Sequence, residues 1–270
     1  MTDLEWHFPS NIEEAAELIQ KPMLIVHGGG TGILLTDQHR RKDLIDLSGL
    51  PLYHSEVKKD HVELGSMLTY ADLINIFQNI DPEHIIVKSL AQSANTPLRN
   101  RITLGGSIAH FPPWTDLMGA LLALESRVYL KGAYQGEVSL REYLAQKELQ
   151  KNNLITNVQV PLLDWDSYSY RFVRTTSDMP VFHITILIKQ NENIIQDCRI
   201  IITGNVGRFS RLEKLENHLI DRNKKDIDHE EIIELVDVKF AGKKIDDPDY
   251  IAHLASIQVA RGVDELRGAQ

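Results

Sequence analysis

The chain has a single cysteine, Cys198, among its 270 residues. One thiol can make no internal disulfide, and it can hold neither an iron–sulfur cluster nor a structural zinc, each of which needs several ligands. Such cysteine use favours a reducing compartment, so a cytoplasmic location is expected. Long apolar runs are also absent. The longest, Leu117–Leu124, falls far short of the roughly 18–20 residues that cross a bilayer, and no membrane association is expected. The opening Met1-Thr-Asp-Leu-Glu-Trp6 has neither a basic nor an apolar region, so no secretory leader is expected. Clustered positive charge is a third absence. Lys and Arg number 29 against 38 Asp and Glu, for a formal net charge of −9. No stretch gathers the cations into a nucleic-acid face. The histidines are scattered, and none forms an H-x-x-x-H or H-E-x-x-H pair on a helix, so no metal site is expected.

What is present is an ordinary globular composition, 43% hydrophobic and 25% charged, in a chain long enough for two domains. The negative charge constrains any anionic ligand. A nucleotide's phosphates would have to be held by local devices, such as backbone N–H groups in Gly-rich turns or at helix starts.

Ser10 and Glu13 have the spacing of a capping box before apolar Ile12, Ala15, Ala16 and Ile19. Strands are expected at Met23–Val26, Leu44–Leu47 and Val62–Gly65. Thr69 and Asp72 can start a helix through Phe77, and Asp81-Pro82 can open another toward Leu90. Residues Gln92–Ser107 read as one long polar loop, a length that usually signals function or disorder. Thr115 or Asp116 can cap an apolar helix to Leu124. Val128–Leu130 and Val138–Leu140 suggest a hairpin, followed by a capping box at Ser139 and Glu142. The pattern changes near Asn152–Pro161. Beyond it, strand-like runs at Tyr168–Val173, Val181–Ile188 and Ile194–Thr203 precede helix-like runs at Phe209–Leu219, Glu230–Val238 and Asp249–Leu266. Strands followed by helices indicate a separate α+β domain. The boundary is placed near residue 155.

Two loops carry candidate chemistry. Gly28-Gly-Gly-Thr-Gly32 follows a strand. Its glycines allow positive φ and close approach, and successive N–H groups can cup a phosphate. Neither named nucleotide motif fits: Ile33 breaks a G-x-G-x-x-G frame, and no lysine completes a P-loop. Alone, this loop is either a tight turn or an anion site. The second is Arg99-Asn-Arg-Ile-Thr-Leu-Gly-Gly-Ser-Ile-Ala109, two arginines, a double glycine and two hydroxyls. Alone it is equally a polar connector, but two Gly-rich loops in one domain suggest a bipartite pyrophosphate cradle. His229-Glu-Glu reads as a solvated helix start, Asp246–Asp249 as a helix cap, and Cys198 as a buried inert thiol.

These two loops resemble those of the FAD-binding subunits of molybdenum hydroxylases, a family that includes the flavoprotein subunits of carbon monoxide dehydrogenase and xanthine dehydrogenase. The family's first loop reads like A-G-G-T-D-L or A-G-G-H-S-L, and its second like R-N-R-G-T-I-G-G-N/D-x-A. Pro112, Asp116 and Leu121-Leu-Ala-Leu-Glu125 continue the likeness. Ile45-Asp-Leu-Ser48, Glu63-Leu-Gly-Ser66 and Arg171-Phe-Val-Arg through Asp178 extend it over nearly the whole chain. The chain departs at Gly32, where the family has a polar residue, at Ile102, where glycine is common, and at Ser107, which replaces Asn or Asp.

The resemblance implies an α+β fold. Its first part is a two-lobed FAD-binding domain of the p-cresol-methylhydroxylase type at 1–155, with lobes of about 1–50 and 51–155. A C-terminal α/β domain, a three-stranded sheet plus helices, follows at 156–270. It implies an FAD-dependent oxidoreductase subunit that relays electrons, with an iron–sulfur subunit and a molybdopterin-containing subunit as partners. Under it, Gly28, Gly29, Gly30, Thr31, Gly32, Ile33, Asn100, Thr103, Leu104, Gly105, Gly106 and Ser107 line the cofactor. Asp116 reaches its polar groups and Met179 its ring. No catalytic acid or base is required of this chain. Many oxidases of the wider superfamily attach FAD through a histidine where this chain has Thr31, so non-covalent FAD is expected. The alternatives are a self-contained FAD oxidoreductase and an assembly subunit without FAD. Neither the organic substrate nor the electron acceptor is legible.

Overall fold

A computed structural model describes residues 4–34, 36, 43–175, 178–241 and 247–268. The chain packs as two compact units built from interleaved segments. The first comprises Met1–Asn75, Asn95–Phe111 and Leu124–Leu162, and the second Ile76–Ala94, Pro112–Ala123 and Leu163–Gln270. The fold is α+β, as expected.

The first unit holds two sheets. One is parallel, with β1 (Trp6–His7) and β2 (Leu24–His27) flanking β3 (Asp43–Asp46). Helix α1 (Ile12–Leu18) buries Ala15 and Ala16. Ala15 joins a cluster with Ile45, Leu47, Leu50, Leu52, Met67 and Leu154. The expected cap is displaced by one residue. Asn11 is the N-cap and accepts from the Glu14 amide, while Ser10 bonds the Glu14 carboxylate. Both Asn11–Glu14 and Ser10–Glu13 have the capping spacing, and the asparagine wins. One helical turn, α2 (Thr31–Leu34), follows β2.

The other sheet is antiparallel. Its strands are β4 (Ser55–Val57), β5 (His61–Gly65), β6 (Arg127–Gly132), β7 (Gly136–Ser139) and β8 (Asn153–Pro161), in the order β4-β5-β8-β6-β7. The central strand β8 buries Leu154, Val158 and Val160, and it runs through the region where the sequence pattern changes. The hairpin β6–β7 and the Ser139 cap of α8 (Leu140–Ala145) form as expected. Helix α3 (Tyr70–Ile80) begins behind a reciprocal Thr69–Asp72 pair.

Three expectations in this stretch, two of helices and one of a loop, are corrected. Asp81 does not open a long helix: it accepts from the Glu83 amide in a turn, and α4 (Ile85–Leu90) starts behind His84. Residues 92–107 are not one loop. They contain α5 (Thr96–Arg99), capped by Asn95, and the start of α6 (Leu104–His110), capped by Thr103. Short polar helices of this kind lack the apolar period that marks a helix in sequence. Neither Thr115 nor Asp116 caps α7 (Met118–Ala123) through its side chain, because Asp116 is held by Arg171 and Thr115 Oγ1 has no partner among the described residues.

In the second unit, β9 (Asp166–Phe172), β10 (Phe182–Asn191) and β11 (Ile194–Thr203) are the three expected strands. A short fourth strand, β12 (Phe209–Arg211), pairs with β11 where the start of a helix was expected, and α10 (Glu213–Leu219) follows it. Helices α9 (Lys147–Gln150, in the first unit), α11 (His229–Leu235) and α12 (Pro248–Arg267) complete the chain. Asp247 caps α12, while Asp246 lies outside the described residues. His229 is not merely solvated, since its Nδ1 meets Asp264 Oδ2 at 2.5 Å.

The two faces of this sheet differ in kind. One presents Phe182, Ile184, Ile186, Ile188, Cys198, Ile200 and Ile202 to α10–α12 as a continuous apolar core. Cys198 is buried there, and burial pushes its thiol up, as an inert thiol requires. Each such aliphatic contributes about 1.5–3 kcal/mol by leaving water. The opposite face carries Ser169, Arg171, His183, Thr185 and Thr203. His183 is paired across strands with Arg171 and Thr203. Arg199 caps the last carbonyl turn of α7 by donating to Ala123 O at 2.8 Å, and Lys88 of α4 donates to Ser167 O at 2.9 Å. Burial holds His183 below the ordinary histidine range, with Asp116 opposing and Arg171 reinforcing that shift.

Candidate cofactor site

The first loop is shaped by how closely its backbone meets the second. A Cβ on Gly29 would lie 1.5 Å from the Arg101 carbonyl oxygen, so no other residue fits without separating the loops. Gly30 follows at φ +76°, which turns the chain into α2. The amides of Gly29, Gly30 and Thr31 donate to no other described residue. The Arg101 guanidinium lies against the same loop: Nε and Nη2 both donate to Gly29 O, at 3.1 and 3.0 Å. Glycine backbone, open N–H donors and a fixed cation are thus gathered at one place. His27, at the end of β2, has Nδ1 3.3 Å from Asp46 Oδ2 but outside hydrogen-bond geometry.

The second loop uses its donors differently. Leu104 N donates to Leu68 O and Gly105 N to Ser66 O, both at 2.8 Å. Gly106 N donates to Thr103 Oγ1 at 3.2 Å, and Ser107 N to Thr103 O at 2.9 Å. Ser107 turns inward as well. Its hydroxyl donates to Thr103 O at 2.9 Å and is hydrogen-bonded to the Tyr70 hydroxyl at 3.0 Å. The departures from the family pattern have local reasons. Ser107 serves this inner network. Ile102 contributes its carbonyl to the Tyr70 amide, a role any residue fills. Gly32 lies against the His110 ring, where a Cβ would come within 3.1 Å of Cδ2.

The structure therefore gathers Gly28–Ile33 with Asn100–Ser107 in the first unit, with Asn100 exposed at the end of α5. Asp116 and Met179 fall in the second unit. There, Arg171 Nε donates to Asp116 Oδ1 at 3.0 Å and Nη2 to Asp178 O at 2.7 Å. Both side chains are nearly buried, at 9% and 5% exposure, whereas neighbouring Met179 is exposed. Sequence reasoning did not single out Arg101 or Arg171 as site residues. The signal was faint in each case: both lie inside recognisable segments, but which arginine turns toward the loop is decided by packing.

The sequence profile of the FAD binding domain in molybdopterin dehydrogenase matches residues 2–163. The chain belongs to this family. Its cofactor is FAD, and it is an oxidoreductase component of the medium-subunit type. The nicotine 6-hydroxylase medium subunit of Paenarthrobacter nicotinovorans is 26% identical over 78% of this chain and 78% of its own length. The carbon monoxide dehydrogenase medium chain of Hydrogenophaga pseudoflava is 24% identical over 81% and 80%. Among solved structures, reconstituted CO dehydrogenase from Oligotropha carboxidovorans superposes with a TM-score of 0.89 at 18% identity, covering 99% of both chains. Quinoline 2-oxidoreductase from Pseudomonas putida 86 gives 0.87 at 18%, covering 99% of this chain and 98% of its own. Both show the same fold. Among the described residues no helix is long and apolar enough to cross a membrane.

The residues present fit FAD. A pyrophosphate needs donors and positive charge, and the first loop offers open amides beside the Arg101 guanidinium.

Proposed function

We propose that this chain holds FAD non-covalently and relays electrons between the iron–sulfur clusters of one partner subunit and an external acceptor, while a molybdopterin-containing subunit transforms the organic substrate. The observation that carries the reading is the open Gly29–Thr31 backbone clamped by Arg101. The single cysteine is consistent with it, because a chain with one thiol cannot hold an iron–sulfur cluster of its own. Bound FAD supplies the redox chemistry, leaving the protein to bind, orient and tune. In this reading Gly28–Gly32 meet the pyrophosphate, Arg101 fixes their carbonyl side, and Thr103–Ser107 form the wall behind them. Residues 1–155 act as the cofactor domain and 156–270 as a separate C-terminal domain. Thr31 carries no imidazole, so no covalent tether forms at the usual position.

The test is purification of the full chain alone and after co-expression with candidate iron–sulfur and molybdenum subunits, followed by visible spectroscopy, acid precipitation and metal analysis. The lone chain should be yellow, lose its colour to the acid supernatant, and turn over no purine, aldehyde or aromatic substrate. A metal-free lone chain that oxidises such a substrate would replace the relay with a self-contained flavoenzyme. A colourless chain that fails to take up added FAD would leave only an assembly role.

A further inference from the structure

His27 ends β2, where the apolar run Leu24-Ile-Val26 gives way to the glycine loop. Its imidazole is held by residues of the same compact unit. Trp6 of β1 packs edge-on against the ring, with centroids 5.0 Å apart. Asp46 of β3 places Oδ2 3.3 Å from Nδ1, which is buried. The Ser48 amide donates to the other carboxylate oxygen of Asp46 at 2.7 Å and so fixes it. On the loop side, a Cβ built on Gly30 would stand 2.8 Å from His27 Nε2 and 3.7 Å from Arg101 Nη2. An imidazole nitrogen and a guanidinium nitrogen thus converge on one residue of the loop. That residue's own amide donates to no other described residue.

A structural filler at the end of such a strand would be apolar, as Val26 is. A histidine costs more there, because its buried Nδ1 has no hydrogen bond among the described residues. Its Nε2 is hydrogen-bonded to none of them either. Asp46 supplies the counter-charge for a doubly protonated ring, in which both nitrogens are donors. The loop would then carry a second cation beside Arg101. A chain of net charge −9 has to provide attraction for an anion locally in this way.

We propose that His27 is a phosphate-binding residue of this loop: oriented by Asp46, it turns Nε2–H to the pyrophosphate beside Arg101, and FAD is taken up together with a proton. This rests on the FAD reading above. Affinity is then highest below the histidine range and falls as pH rises through it. Asp46 and Arg101 also face the ring, and neither a carboxylate nor a guanidinium ordinarily changes charge near neutrality. Tyr53, raised first by burial and then by Asp46, keeps its proton there. His7 follows Trp6 on β1 and so points to the opposite face. His110, whose ring lies against Gly32, is another histidine beside the loop and serves as the control.

The test is FAD titration of the full chain between about pH 8 and pH 6, the range in which a histidine changes charge while the pyrophosphate stays ionised. The wild type should bind about fivefold more tightly, or better, at the lower pH. Calorimetry in buffers of different ionisation heat should show net proton uptake on binding. His27→Gln keeps a donor without the charge. Its affinity should change less than about twofold over the same range, with no proton uptake, while the slope persists in His110→Gln. A merely structural histidine would lower the Tm of His27→Gln and leave the slope intact. A wild-type slope in His27→Gln, or a slope lost in His110→Gln, overturns the role. So does a wild type that takes up no proton, a result that needs no variant to fold. If the wild type takes up no FAD at either pH, the FAD reading fails. Sulfate titration of the apo-protein, followed by nitrogen NMR of the His27 ring, then decides alone: a saturable response at Nε2 supports the anion contact, and its absence overturns it.

Discussion

The two glycine loops look alike in sequence and are used in opposite ways. Gly28–Gly32 leaves three successive amides without partners among the described residues, and at Gly29 even a Cβ would run into the Arg101 carbonyl. Thr103–Ser107 has no idle donor from 104 to 107: each amide goes to Leu68, Ser66 or Thr103. A loop built to meet a ligand keeps its hydrogen-bonding groups unpaired until the ligand arrives. A loop that supports another satisfies its own, because an unpaired buried polar group costs about 1–3 kcal/mol. In the proposed function the first loop holds the site and the second holds the first. Arg101 is the join, since it belongs to the second loop by sequence and grips the first through Gly29 O.

The largest effect should come from Gly29→Ala. Its Cβ would coincide with the Arg101 carbonyl oxygen, so the loops must part. FAD affinity should fall at least a hundredfold, about 2.7 kcal/mol, as read by flavin titration of the apo-protein. Gly105→Ala is the control for the comparison. Its Cβ would press on the Ser66 Cβ at 2.8 Å and carbonyl at 3.1 Å, an overpacking cost of about 1–3 kcal/mol that should appear as a lower Tm. If Gly105→Ala lost FAD as completely as Gly29→Ala while keeping its Tm, the two loops would not differ in the way described.

A middle-sized effect should follow from Arg101→Lys. A lysine keeps the charge but not the two-armed grip on Gly29 O. FAD affinity should drop about tenfold, some 1.4 kcal/mol, with Tm nearly unchanged because the arginine is exposed. The measurement is the same titration repeated at rising salt. A wild-type affinity that is insensitive to this substitution would remove Arg101 from the site and leave the open amides as its only device.

Much of this was legible in the sequence, for a physical reason. The double glycines, the R-N-R run and the α+β order of elements are local properties, and local patterns survive without a structure. The fate of each donor is not local. Nothing in Thr103-Leu-Gly-Gly-Ser107 shows that Leu68 and Ser66 will offer carbonyls to it, since those residues arrive from the turn after β5. Asp116 is a similar case. It stands where a polar contact to the cofactor was expected, and whether it serves FAD or Arg171 depends on a strand more than fifty residues later. The helices inside 92–107 were missed because capping by Asn95 and Thr103, and not an apolar stripe, defines them.

The smallest effect gives the sharpest test, because it concerns a residue that either loop can claim. Thr103 caps α6 by accepting from Gly106 N, and the same Oγ1 lies within 3.1 Å of where a Gly28 side chain would begin. If its work is internal, Thr103→Val should lower stability by about 1 kcal/mol, the usual worth of an N-cap, and Thr103→Ser should restore most of it. FAD affinity should follow only weakly, less than threefold in either variant, once measured well below the melting range. Both quantities come from one sample set, thermal unfolding of the apo-protein and flavin titration at low temperature. A valine variant with unchanged Tm and a tenfold weaker grip on FAD would mean that the hydroxyl faces the cofactor. The second loop would then share the work of the first, and its saturated amides would describe a packed wall with one active side chain.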